Sequence, residues 1–263
     1  MLLIDAHVHL HASYDTGRFV DCAVRNFALA ASRHGISDPT GVLFFADADD
    51  GETLARLALD IQTSGHERFS STAEDCSAFI TLRDGTVLLV VAGRQVVTRG
   101  RLEVLALGTT RVFAAGRGFQ ETLASVLESD ALAVIPWGFG KWWGRRGRLV
   151  ERALTSPESA GVLVGDNGGR PRVGTVPRQL RLARELEILD LPGSDPLPAP
   201  RQECRVASYG CILECSVDHQ RPALGIKRHL KELRSQPQRF GRLTAPASFV
   251  FAQVRHLLDR GSQ

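Results

Sequence analysis

The stretch Ile4-Asp5-Ala6-His7-Val8-His9-Leu10-His11 follows the apolar start Met1-Leu2-Leu3, and it decides how the chain is read. From Leu2 to Val8 the residues are apolar except Asp5 and His7, as expected of a strand buried on both faces. Side chains on a strand alternate with a period of two, so Asp5, His7, His9 and His11 are expected to point the same way. Two neutral imidazoles two residues apart chelate one divalent cation, and Asp5 is expected to join them or to orient one ring. The plain alternative is a polar strand end with solvated histidines.

Outward from this strand the pattern alternates. Arg18 to His34 reads as a helix with the stripe Phe19, Val20, Ala23, Val24, Phe27, Ala30 and Ala31. Asp15 or Thr16 is its cap and Gly35 its stop. Gly41 to Asp47 (GVLFFAD) is a second strand, and Asp49 with Glu52 resembles a capping box for a helix from about Gly51 to Thr63. Short β-rich runs follow at 77–82, 86–92, 95–98 and 102–107, separated by Asp84-Gly85, Gly93 and Gly100. Helix and strand then alternate again, with helices predicted over 120–129, 146–154 and 177–187 and strands over 131–136, 161–165 and 188–191. A last strand is expected near 206–213, with helices over 223–235 and 246–260. Repeated βα units imply a mainly parallel sheet with outer helices and a hairpin insertion at about 77–107. In such sheets the chemistry collects at the C-terminal ends of the strands.

The 263 residues suit one domain of barrel size. At 43% hydrophobic and 23% charged, the composition is that of a soluble globular chain. No apolar run approaches the roughly 18 residues of a membrane span. The start lacks a basic n-region, so it does not read as a signal peptide and a cytoplasmic protein is the default. A net charge of +3 is too small to argue for nucleic acid. Seven Lys or Arg against one acidic residue between Arg221 and Arg242 read as a solvated helix face. Cys22, Cys76, Cys204, Cys211 and Cys215 match no zinc-ribbon spacing and read as structural, reduced thiols.

The D-x-H-x-H-x-H opening resembles that of the polymerase-and-histidinol-phosphatase (PHP) family, and more loosely the amidohydrolases. FFADADD (44–50) stands where PHP proteins carry T-D-H-D. AGRQVVTRGRLEVLALG (92–108) resembles their G-x-E segment and the strand that follows. VIPWGFG (134–140) is similar to I-x-H-P-x, and PGSDPLP (192–198) to the late G-S-D-x-H. The resemblance implies a distorted TIM-like (β/α)7 barrel and metal-dependent hydrolysis, in many members of phosphate esters. It departs at four ligand positions, where Ala48, Gln95, Trp137 and Leu197 stand. The metal candidates that remain are His7, His9, Asp47 and Asp195, with Asp5 in support, enough for one zinc, manganese or iron ion.

Two loops complete the expected site. WGFGKWWGRR (137–146) sets all three tryptophans beside cations, which suits stacking on and charge-assisted binding of a small phosphorylated ligand. Trp137, Trp142, Lys141 and Arg145 are its candidates. GDNGGRP (165–171) offers Asp166 as an additional ligand or a general base and Arg170 as a phosphate clamp, the plain alternative being an ordinary Asn-Gly turn with a capping Asp. The expected function is a metal-dependent phosphoesterase, with Lys141 and Asp166 catalytic. A non-catalytic module of the same fold is the first alternative. An amidohydrolase is the second, disfavoured because no histidine lies between His66 and His219.

Overall fold

The structure, a computed structural model, describes residues 1–47, 52–65, 67–246 and 249. The chain opens β1 (Leu2–Val8), α1 (Thr16–His34), β2 (Thr40–Phe45) and α2 (Thr53–Ser64). Three strands follow, β3 (Arg68–Ser71), β4 (Ser77–Thr81) and β5 (Val87–Val91), then β6 (Gly93–Val97) and β7 (Glu103–Leu107). Next come α3 (Phe119–Leu127), β8 (Leu132–Pro136), α4 (Gly144–Thr155), β9 (Leu163–Gly165) and α5 (Arg178–Glu185). The chain continues through β10 (Tyr209–Leu213), α6 (Pro222–Glu232) and β11 (Gln238–Gly241). Most of the last expected helix, and Asp49 of the expected capping box, lie outside the described residues.

These strands form two mixed sheets, a seven-stranded one ordered β11-β10-β1-β2-β5-β4-β3 and a four-stranded one ordered β6-β7-β8-β9. The expected (β/α)7 barrel is therefore corrected: among the described residues the strands do not close into one. β1, β2 and β5 run parallel, but β10 joins β1 antiparallel and β7 runs against both β6 and β8. The β-rich run is likewise no insertion set apart from the sheets. β4 and β5 join the large sheet through the Asp84-Gly85 hairpin, while β6 and β7 found the small one. The chain steps between sheets at Ala92. There Gly93 approaches so closely that a Cβ would lie 2.5 Å from the Phe45 carbonyl oxygen and 2.8 Å from that of Ala106. The expected strand 188–191 is reduced to an isolated bridge between Asp190 and Val164.

Period-two alternation feeds three apolar layers. On one side of the large sheet, Leu3, Val8, Leu43, Phe45 and Ile80 meet the predicted stripe of α1 and Leu57 and Ile61 of α2. Leu2, Ile4, Val42 and Phe44 face the other way, against Leu105, Leu107 and Val134 of the small sheet. The outer face of the small sheet, Val104, Ala106 and Ile135, is covered by α3, α4 and α5. The order of layers is helix, sheet, sheet, helix, with burial of apolar area as the driving force. Helix α1 starts on Asp15, whose side chain accepts the Arg18 N–H at 2.7 Å, and stops at Gly35 with φ 67°.

Two expectations about polar residues are also corrected. Cys22 of α1 is disulfide-bonded to Cys204, whereas Cys76 and Cys211 are buried thiols. The basic run is not wholly solvated: Lys227 is buried and donates to the Gly108 carbonyl at 2.8 Å, and Arg239 enters a buried ion network. Arg239 reaches Asp166 at 2.7 Å and also binds Asp190, whose carboxyl burial pushes up to about 6. Removing one partner of a buried pair leaves the other charge uncompensated. Arg239→Met is expected to lower stability by roughly 3 kcal/mol; a urea midpoint equal to that of the parent protein contradicts this.

Candidate metal centre

Strand β1 delivers the two histidines, but not as simple alternation predicts. Its pairing with β2 shifts register between Asp5 and Val8. Leu3 and Val8 consequently share one core although they are five apart, and the parity of the strand is reversed between them. Asp5 lies on the far side of this irregularity. Its carboxylate accepts the Ser194 N–H at 2.8 Å, the Ser194 hydroxyl at 2.5 Å, the Ala207 N–H at 2.8 Å and the His7 N–H at 3.3 Å. Burial pushes its carboxyl up to about 7, against these hydrogen bonds. Asp5 is thus a buried tether and not a ligand.

Past the irregularity the imidazoles converge. The Nε2 atoms of His7 and His9 lie 3.0 Å apart, and Asp195 Oδ1 stands 3.7 Å from the first and 3.4 Å from the second. The segment carrying Asp195 is sewn to β1 by backbone bonds, Ala6 N–H to Pro192 O at 3.2 Å and Asp195 N–H to His7 O at 2.8 Å. Gly193 makes the approach feasible, since a Cβ there would fall 2.4 Å from the Cβ of His7. Asp195 itself adopts φ 45°, a left-handed turn that aspartate tolerates better than most residues. Gln95 of β6 adds an amide oxygen 3.3 Å from His7 Nε2.

The donor set fits a divalent cation. Metal–nitrogen and metal–oxygen bonds of about 2.0–2.1 Å in a tetrahedron separate neighbouring ligand atoms by about 3.3 Å, close to the spacings seen here. The protonation states suit it too. Burial pushes His7 down to about 4 against the pull of Asp195, so its ring is a neutral donor. Burial opposes ionisation of Asp195, but His7 and His9, with the charge of Lys141, outweigh it and hold the carboxyl well below the usual range.

The other expected residues fall elsewhere. Asp47 is buried, accepts the Thr53 hydroxyl, and lies outside the His7–His9–Asp195 group; burial raises its carboxyl, and its Oδ2 has no hydrogen-bond partner among the described residues. Ala48 lies outside the described residues. Asp166 is saturated by Arg170 at 2.7 and 2.8 Å, Arg239 at 2.7 Å and Tyr209 at 3.0 Å, which withdraws it from a base role and Arg170 from a clamp role. Lys141 pairs with Glu103, yet its charge acts on both His7 and Asp195. Trp142 is core, and Arg145 is exposed. Trp137 and Trp142 help line a cavity of about 470 Å³, with Phe139, Trp143, Arg170 and Arg178. Gln95 beside His7 and Asn167, which donates to Asp195, are residues at the site that the sequence pattern does not mark as candidates. A polar side chain at the expected G-x-E position is the signal that points to Gln95.

No family model and no curated protein matches this chain. Among solved structures it is similar to PsfC from Pseudomonas syringae PB-5123, at 14% identity over 96% of each chain and a TM-score of 0.47.

Two substitutions test the geometry. Asp5→Asn turns an amide NH2 toward backbone donors and is expected to cost about 2–3 kcal/mol in urea unfolding; a loss below about 0.5 kcal/mol contradicts the tether. Gly193→Ala is expected to cost about 1–3 kcal/mol through overpacking and to displace His7. Retention of the parent's metal affinity in Gly193→Ala counts against that close approach.

Proposed function

We propose that the protein is a metal-dependent hydrolase, acting on phosphate esters, that holds one divalent ion through His7, His9 and Asp195. The convergence of two imidazole nitrogens and one carboxylate oxygen at the spacing of tetrahedral corners carries the reading. Three protein ligands leave a position open, the arrangement of catalytic and not structural zinc sites. Such an ion, when bound, supplies a Lewis acid and lowers the pKa of a coordinated water to about 7. The chain's own part is to bind and orient. Lys141 places a positive charge that acts on His7 and Asp195, suited to an anionic substrate. The cavity walled by the tryptophan loop is of a size that small ligands fill.

The PHP resemblance enters here as a proposal of ancestry. It is supported by Gln95 and Asp195, two positions its motifs place at ligand sites, which both stand beside His7. A second reading, a metal-holding module without turnover, is favoured by one observation. Both expected anion clamps, Lys141 and Arg170, are already in ion pairs, with Glu103 and Asp166.

Elemental analysis of the purified protein is expected to find close to one divalent ion per chain, lost in His7→Ala and His9→Ala. Hydrolysis of p-nitrophenyl phosphate or its bis-ester is expected to fall at least about 100-fold with either variant or with chelator. Metal content unchanged by both substitutions sinks the first reading. Full metal occupancy with no turnover of either ester selects the second.

A further inference from the structure

We infer that Asn167 is the positioning residue that makes Asp195 a one-oxygen metal ligand, an inference resting on the metal-centre reading above. Asn167 follows β9 and is buried. Its Oδ1 accepts the Gly169 N–H at 2.6 Å. A backbone N–H can only donate, so the amide oxygen must lie on that side and the NH2 on the other. That NH2 donates to Asp195 Oδ2 and, at 3.4 Å, to the Trp137 carbonyl. One oxygen of Asp195 is thereby tied off, and the other, Oδ1, is left 3.4 and 3.7 Å from the two imidazoles. A charge-assisted bond to a fixed donor fixes the rotation of the carboxylate.

Asn167 is itself held. Its N–H donates to Asp166 Oδ1 at 3.0 Å, and Asp166 is locked by Arg170 and Arg239. On either side of Asn167, the Asp166 carbonyl accepts the Gly193 N–H at 3.0 Å and the Gly168 N–H donates to the Gly193 carbonyl at 2.8 Å. The loop bearing Asn167 and the segment bearing Asp195 are thus one backbone-paired unit. The buried ion network serves the site at one remove: it is the anchor of the residue that aims the ligand. Partners of this kind are worth about 10–100-fold in metal affinity.

The test uses the full chain and its isosteric variant Asn167→Asp. The variant keeps the acceptor for Gly169 but turns an oxygen toward Asp195 Oδ2. Zn2+ affinity by competition titration and the visible spectrum of the Co2+ form are read together, with thermal unfolding of the metal-free proteins as the folding control. Asn167→Asp is expected to bind Zn2+ about 10–100-fold more weakly and to alter the Co2+ band, because Asp195 turns. Asn167→Ala is expected to move both in the same direction, and it carries the test if the first variant does not fold. Parent-like affinity and an unchanged Co2+ spectrum in a folded Asn167 variant, alongside loss of binding in His7→Ala, overturn the inference and leave the metal centre standing. Absence of Co2+ binding in the parent, or binding untouched in His7→Ala, overturns both.

Discussion

A single buried carboxylate holds together parts of the chain that are far apart in sequence. Asp5 accepts hydrogen bonds from Ser194 and Ala207 as well as from His7 on its own strand. That gathering places Ser194 against β1, and the next residue, Asp195, then donates its N–H to the His7 carbonyl. The spacing of His7, His9 and Asp195 thus depends on a carboxylate that lies outside their group. The cost of burying Asp5 is the reason the tether is specific. A carboxyl cut off from water is tolerated only where donors surround it, and Ser194, Ala207 and His7 supply them here.

The second constraint runs from the opposite side of the site. Asp166 and Asp190 lie in the interior with Arg170, Arg239 and Tyr209, and their joint satisfaction fixes β11 and the turn after β9 relative to each other. Networks of this kind are weak evidence for net stability, because desolvation offsets much of the attraction. Their consequence here is geometric. The carbonyl and carboxylate of Asp166 bind Gly193 and Asn167, so a displacement of the network is transmitted to two residues that border Asp195.

Much of the site and some of the fold are legible in the amino-acid sequence. The strand that leads to His7 and His9 and the stripe of α1 with its cap Asp15 and stop Gly35 declare themselves by local pattern, whereas Asp195 is a candidate only through the PHP resemblance. What local pattern does not carry is non-local pairing. Nothing in the runs 77–82 and 86–92 tells which sheet they join, because strands of either direction carry the same alternation. The βα repeat suggests a mainly parallel sheet, but β4, β7 and β10 run antiparallel to their neighbours. Period two puts Asp5 among the ligands, and one irregularity in β1 reverses that rule beyond it. Asp166, Lys141 and Arg170 look like free functional charges along the chain because Arg239 and Glu103, which neutralise Asp166 and Lys141, are distant in sequence and near only in space.

Charge balance sets how many ions such a site can hold. Two imidazole ligands, which bind a metal only in their neutral form, and one carboxylate would leave a bound divalent ion with a net charge of about +1, which an anionic substrate would neutralise. A second ion would add two more positive charges near Lys141 and Arg205, both of which already act on Asp195. The other acidic side chains give little help. Burial raises Asp47 toward its neutral form, Asp5 is committed to its donors, and the positions that the PHP resemblance marks, 95, 137 and 197, carry an amide, an indole and a leucine. A cluster of ions on this frame would leave uncompensated charge in a poorly solvated pocket, at a cost of several kcal/mol per ion. On the proposed reading the site would hold one ion, with substrate charge completing its balance.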